Sequence, residues 1–153
     1  MMDSDSDLLR PSLTAGRNPA AAIYSIRTEF LTSFFGGPMA GAAVALLNSY
    51  RLRRLAVDWP LALIALTIGV LLGWLENHGG WHWLDSSLGP GSDIYATRVI
   101  NLIFFGIVYA FHRTYYKGMS VLAITPPNGL LVGTGAIIFG LLSDAALIKL
   151  FAT

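Results

Sequence analysis

Asp144 lies about two turns inside the end of an apolar stretch reading GLLSDAALIKLF. A carboxylate at such depth in hydrocarbon costs roughly 2.5–3.5 kcal/mol on insertion scales, so it must face protein and find a partner. Lys149 is one turn further along the same segment, Ser143 is its neighbour, and Arg98 and Asn101 open the preceding apolar segment. If those two segments run antiparallel, Arg98 and Asn101 come near the depth of Asp144. Two chemistries fit. One is a proton- or ion-coupling acid lining a cavity; the other is a structural ion pair or hydrogen bond that fixes helix register.

Other candidates are weaker. Glu76, His78, His82 and Asp85 gather nitrogen and oxygen donors in GWLENHGGWHWLDSSLGPGSD, and zinc accepts both. Their spacing matches no established metal site, and Gly79-Gly80 interrupts any helix that would align the two histidines. Trp81 and Trp83 instead suit a loop seated among headgroups. RTYYKGM, residues 113–119, has the same interfacial character and suits anionic lipid. The chain has no cysteine, which excludes thiol catalysis, disulfides and thiolate metal sites. It also lacks a serine elbow, a phosphate-binding loop and a metalloprotease helix. The sequence therefore argues against an enzyme and calls for neither a cofactor nor a metal.

The elements that must position these residues follow from composition. Only 12% of the 153 residues are charged and 54% are hydrophobic, against about 25% charged in a soluble domain. A net charge of +1 argues against nucleic acid as a partner, which needs a concentrated basic patch. Residues 1–22 begin acidic and continue Ser/Pro/Gly-rich, unlike a secretory signal, and read as a short disordered tail. Residues 23–153 form one transmembrane domain with spans at about 30–47, 59–75, 94–116 and 129–151. A hydrocarbon core about 30 Å thick takes roughly 20 apolar residues. Asp58 is placed to cap the second span, with Pro60 in its first turn. The third is the least regular, since residues 99–111 are short and include Asn101. It reaches across only with 94–98 and 112–116 included and Arg98 and Arg113 snorkelling. No segment has the charged face of a soluble surface helix. The expected fold is all-α: a bundle of four transmembrane helices.

Small residues recur inside these segments. Gly37 and Gly41, Gly69 and Gly73, and Gly129 and Gly133 each stand four apart, the spacing that lets helix backbones approach in lipid. Gly36-Gly37-Pro38 should bend the first helix and free a carbonyl, which a neighbouring helix or a hydroxyl such as Ser33 would satisfy. These faces suit packing within a bundle or between copies.

The stretch IYSIRTEFLTSFFGGPMAGAAVALLNSYRLRRL, residues 23–55, resembles the first segment of small uncharacterised bacterial multi-span membrane proteins. Those have a Tyr-Ser start, a Phe-x-Gly-Gly-Pro-x-Ala-Gly core and an Asn-x-x-x-Leu exit into a basic loop. Tyr24, Ser25, Phe35 to Gly41, Asn48 and Leu52 stand at the matching positions. The resemblance covers about a fifth of the chain and implies a multi-pass protein of the bacterial cytoplasmic (inner) membrane.

With four crossings, the tail, the 76–98 loop and the C-terminus share one side. The 48–58 and 112–128 loops share the other. Arginine and lysine then divide evenly, five to a side, and the Arg51-x-Arg53-Arg54 cluster tips both termini outward. The same parity gathers Arg27, Glu29, Glu76 and His78 at one end, as interfacial anchors or a substrate vestibule. The partners expected are the lipid bilayer and a second copy or another membrane protein. The function expected first is that of a non-catalytic assembly or accessory protein, with Asp144 locked in a pair; the alternative is a small oligomeric transporter or channel using Asp144 as a proton- or ion-coupling acid.

Overall fold

The computed structural model describes residues 23–151; the expected tail, residues 1–22, lies outside them. The architecture is all-α. Its elements are α1 (Ile26–Arg51), α2 (Leu55–Asp58), α3 (Pro60–Asn77), α4 (His82–Leu88), α5 (Ser92–Val121) and α6 (Leu130–Phe151). Four segments have the length and apolar character of membrane spans: α1, α2 continued by α3, α5 and α6.

The Ser25 hydroxyl starts α1 by accepting from the Thr28 N–H at 3.2 Å, and Glu29 stands in the first turn, where a carboxylate meets the positive helix end. The helix then breaks. Gly37 takes φ 75°, ψ −174°, a region essentially reserved for glycine, and Pro38 follows with no N–H to give. The break reverses the chain. The Tyr24 N–H donates to Asn48 Oδ1 at 2.7 Å, and an Arg51 Nη donates to the Tyr24 hydroxyl at 2.9 Å. In a straight helix, Tyr24 and Asn48 would be roughly 36 Å apart. The first segment is therefore a helical hairpin, its arms 26–36 and 38–51 antiparallel and both its ends on one face of the bundle. Each arm is too short to cross a core of about 30 Å.

The other three segments wrap this hairpin. Over its most apolar stretch, 56% of the hairpin segment is buried, against 22%, 17% and 17% for the others, so the hairpin occupies the centre. Its second arm presents Ala42 and Ala45 to Leu61 and Ala65 of α3 and to Phe104 and Val108 of α5. The opposite side of that arm, Ala40 and Val44, meets Tyr24 and Ala136 of α6. Helix α6 runs beside the first arm, with Gly133 against Thr28 and Thr32 and Gly140 against Gly36. The Asn77 side-chain amide at the end of α3 donates to the Ile148 carbonyl at 2.8 Å, so α3 and α6 finish together.

The reversal changes which residues share a face. Arg27 and Glu29 lie with Asn48, Asp58 and His112, not with Glu76 and His78 as four crossings would require. The third segment is one continuous helix of 30 residues, and the segment that turns back is the first.

Close approach of hairpin and α6 leads to a test. A Cβ on Gly140 would overlap the Gly36 carbonyl oxygen and come 2.8 Å from Ala40 Cβ, whereas one on Gly106 meets nothing within 4 Å. Helix propensity alone favours alanine over glycine by about 0.8–1 kcal/mol at either position. Gly140→Ala should nonetheless lower the melting temperature in detergent, while Gly106→Ala leaves it unchanged or raises it. Equal effects would contradict the packing.

Candidate functional site

Two polar clusters sit at opposite ends of the hairpin. At its base, Glu29, Asn48, Ser49, Asp58 and His112 are all fully buried, although the first arm, the second arm, α2 and α5 each supply at least one of them. His112 is central. Its Nδ1 lies 3.1 Å from Glu29 Oε1, and its Nε2 lies 3.2 Å from Ser49 Oγ and 3.5 Å from Asp58 Oδ2. Asp58 Oδ1 is 3.4 Å from an Arg54 Nη. The Asn48 amide donates to Glu29 Oε1 at 2.6 Å, and the Tyr116 ring meets the imidazole edge-on, 6.3 Å between centroids.

The arrangement suits a charged imidazole. Ser49 donates to the Ala45 carbonyl at 2.9 Å, which leaves its oxygen able to accept from Nε2. Glu29 Oε1 accepts from Asn48 and faces Nδ1. With an acceptor at each nitrogen, the ring suits an imidazolium. Arg54, Asp58, His112 and Glu29 then form an alternating row of two cations and two anions, neutral in sum. Burial of such charges calls for pairing and hydrogen bonds; Glu29 Oε1 has both, whereas Asp58 has two cationic neighbours and no hydrogen bond to either carboxylate oxygen. The contacts clamp the hairpin base to α2 and α5.

Ser49, His112 and Glu29 also have the connectivity of a nucleophile, a base and an orienting acid. Here the hydroxyl is committed to Ala45, Asp58 also approaches Nε2, and Ser49 has no exposed surface. An acyl substrate has no approach to that oxygen in this arrangement.

No family model, curated protein or solved structure matches this chain. The site must be understood from its own geometry.

At the hairpin tip, Pro38 leaves the Phe34 carbonyl without its i+4 donor. Arg98 Nη1 donates to that oxygen, and Asn101 Nδ2 does so at 3.3 Å. The Arg98 guanidinium also stacks on the Phe34 ring, 5.1 Å from its centroid. The expected relief of this carbonyl by a neighbouring helix is met by α5; Ser33 Oγ instead points at Gly41 and is buried without a hydrogen bond. Asp144 reaches the same tip from α6. A Cβ on Gly37 would lie 3.1 Å from Asp144 Oδ2, so the missing side chain admits the carboxylate to the broken backbone. Arg98, Asn101 and Asp144 thus assemble around the tip, as antiparallel spans imply, but the first two serve the Phe34 carbonyl. Among the described residues Asp144 makes no hydrogen bond or ion pair. Neighbouring Ser143 bonds back to the Phe139 carbonyl at 2.8 Å.

The glycines named from the sequence have occupied faces. Gly41 faces Ser33 and Phe104; Gly69 and Gly73 face Leu147; Gly129 and Gly133 face Thr28; Gly36 faces Ile137. Pro38 is fully buried at the break. In the 76–91 region, His78 Nδ1 is 3.0 Å from the Trp74 carbonyl and Asp85 accepts from the Ser92 hydroxyl at 2.8 Å. Among the described residues no group of three or more His, Cys, Asp or Glu is placed to hold a metal ion.

The cluster around His112 was not legible as a unit. Glu29 read as an anchor, Asp58 as a cap and His112 as a span flank. The one available signal was that each is an ionisable residue beside an apolar run.

Proposed function

We propose that this multi-pass membrane protein moves protons or small cations through a path that uses Asp144, as an oligomeric transporter or channel of a bacterial cytoplasmic membrane. The observation that carries this reading is the unpaired Asp144 carboxylate seated against the non-helical Gly37. Irregular backbone at membrane depth is tolerated where it is buried in protein or lines a cavity, and transporters place ion sites at such broken helices. Asp144 contrasts with the acids at the hairpin base, whose charges are balanced by His112 and Arg54.

A non-catalytic assembly or accessory protein is the second reading. It called for Asp144 to be locked in a pair and for the glycine faces to mediate association. The glycine faces named above are already occupied within one chain, which lowers its support.

Flux separates the two. In proteoliposomes, Asp144→Asn should abolish pH-dependent proton, sodium or potassium flux, with the variant's melting temperature in detergent unchanged or raised. A variant that conducts like the parent protein rules out the coupling role.

A further inference from the structure

We propose that the basic end of the bundle is its cytoplasmic face, lying against the anionic headgroups of that leaflet, so that α1 starts inside and α6 ends outside. The hairpin decides this. Because the first segment turns back, its start, the 52–54 connection and the 122–129 connection share one end of the bundle. That end carries Arg27, Arg51, Arg53, Arg54, Arg113 and Lys117. The opposite half retains Arg98 and Lys149 alone among the described Lys and Arg, and Arg98 is spent on the Phe34 carbonyl. Among the described residues, a division of five against three under four crossings becomes six against two.

The acids sharpen the asymmetry. At the basic end the described acids are Glu29 and Asp58, both fully buried and paired with His112 or Arg54. Arg27, Arg53, Arg113 and Lys117 are exposed. The other end carries Glu76, Asp85 and Asp93, and the 78–91 connection has no Lys or Arg. Lys and Arg in short loops near span ends are retained on the cytoplasmic side, where anionic lipid attracts them. Tyr50 is 70% exposed beside this cluster, suited to the headgroup layer. The inference stands apart from the transport reading, since it concerns only which end faces which compartment.

The absence of cysteine makes the test direct. Ile26→Cys, Leu88→Cys and Val121→Cys each introduce one thiol, and these positions are 40%, 74% and 84% exposed. In intact cells, a membrane-impermeant maleimide should label Leu88→Cys. Ile26→Cys and Val121→Cys should label about tenfold less until the cells are permeabilised, as a fixed orientation demands. Labelling of Ile26→Cys and Val121→Cys but not Leu88→Cys in intact cells would overturn the orientation and leave the hairpin standing. Labelling of Ile26→Cys together with Leu88→Cys would overturn the hairpin, and the proposal with it. Equal labelling at all three positions would also refute it. With Leu88→Cys as the probe, adding Arg53→Glu, Arg113→Glu and Lys117→Glu should cut its labelling in intact cells at least about twofold, as inverted copies appear. No change would remove the arginines and lysine as the cause. Proton flux measured on the same single-cysteine proteins reports separately on Asp144.

Discussion

Replacing Gly37 by leucine is expected to unfold the hairpin tip and lower stability by about 3 kcal/mol or more. Two independent costs add. A side chain at φ 75°, ψ −174° stores about 1–3 kcal/mol of backbone strain. The Cβ itself would then lie 3.1 Å from Asp144 Oδ2, and the rest of a leucine must displace that carboxylate or part the hairpin from α6. Gly37→Ala carries the strain with less crowding and should fall between. The measurement is the thermal midpoint in detergent, with Gly106→Ala as control because its Cβ meets open space. If leucine at position 37 melts with the parent protein, the reversal of α1 is not held by this residue.

Breaking the charged row at the hairpin base should have a comparable effect. Glu29→Gln leaves a neutral amide opposite the His112 imidazolium, and His112→Gln leaves two buried carboxylates facing each other's charge. Removing one partner of a buried, hydrogen-bonded pair costs about 3–5 kcal/mol. The double variant should be less damaging than the two singles added together, with a coupling of about 0.5–3 kcal/mol. Unfolding of the four proteins under one detergent titration gives the number. Additive losses would mean that Glu29 and His112 do not interact.

Local chemistry was legible in the sequence, and long-range folding was not. The apolar runs were readable because hydrocarbon demands length and hydropathy, quantities that a window of residues contains. So was a bend at Gly36-Gly37-Pro38, since Pro38 lacks a donor, whereas the positive φ of Gly37 was not, because the glycines read as packing faces. What could not be read is how far that break turns the chain. A proline in a membrane helix bends it modestly; the fold-back needs the Asn48 amide and Arg51 to meet Tyr24 at the other end, 24 and 27 residues away. Every assignment of sides inherits that missing angle. Glu29 was placed with Glu76 and His78 for this reason alone.

The neighbourhood of Asp144 was half legible. Antiparallel α5 and α6 bring Arg98 and Asn101 to its depth, as the segment order requires. Their choice of partner depends on a backbone oxygen, Phe34, freed four residues before Pro38. That competitor follows from the sequence once the break is known. Asp58 taught the opposite lesson. Ahead of Pro60 it has the right type for a cap, yet it lies at the end of α2 and turns inward to Arg54 and His112. Burial against a distant cation outweighed a local hydrogen bond.

The central hairpin also sets an order of events for the growing chain. Its residues leave the ribosome before those of the three helices that surround it, and neither arm is long enough to lodge across the bilayer alone. Asp58 and His112, which close its base, are synthesised later, the latter 83 residues after Glu29. The hairpin is therefore made before the residues that close its base, and Glu29 has no imidazole beside it until α5 has been synthesised.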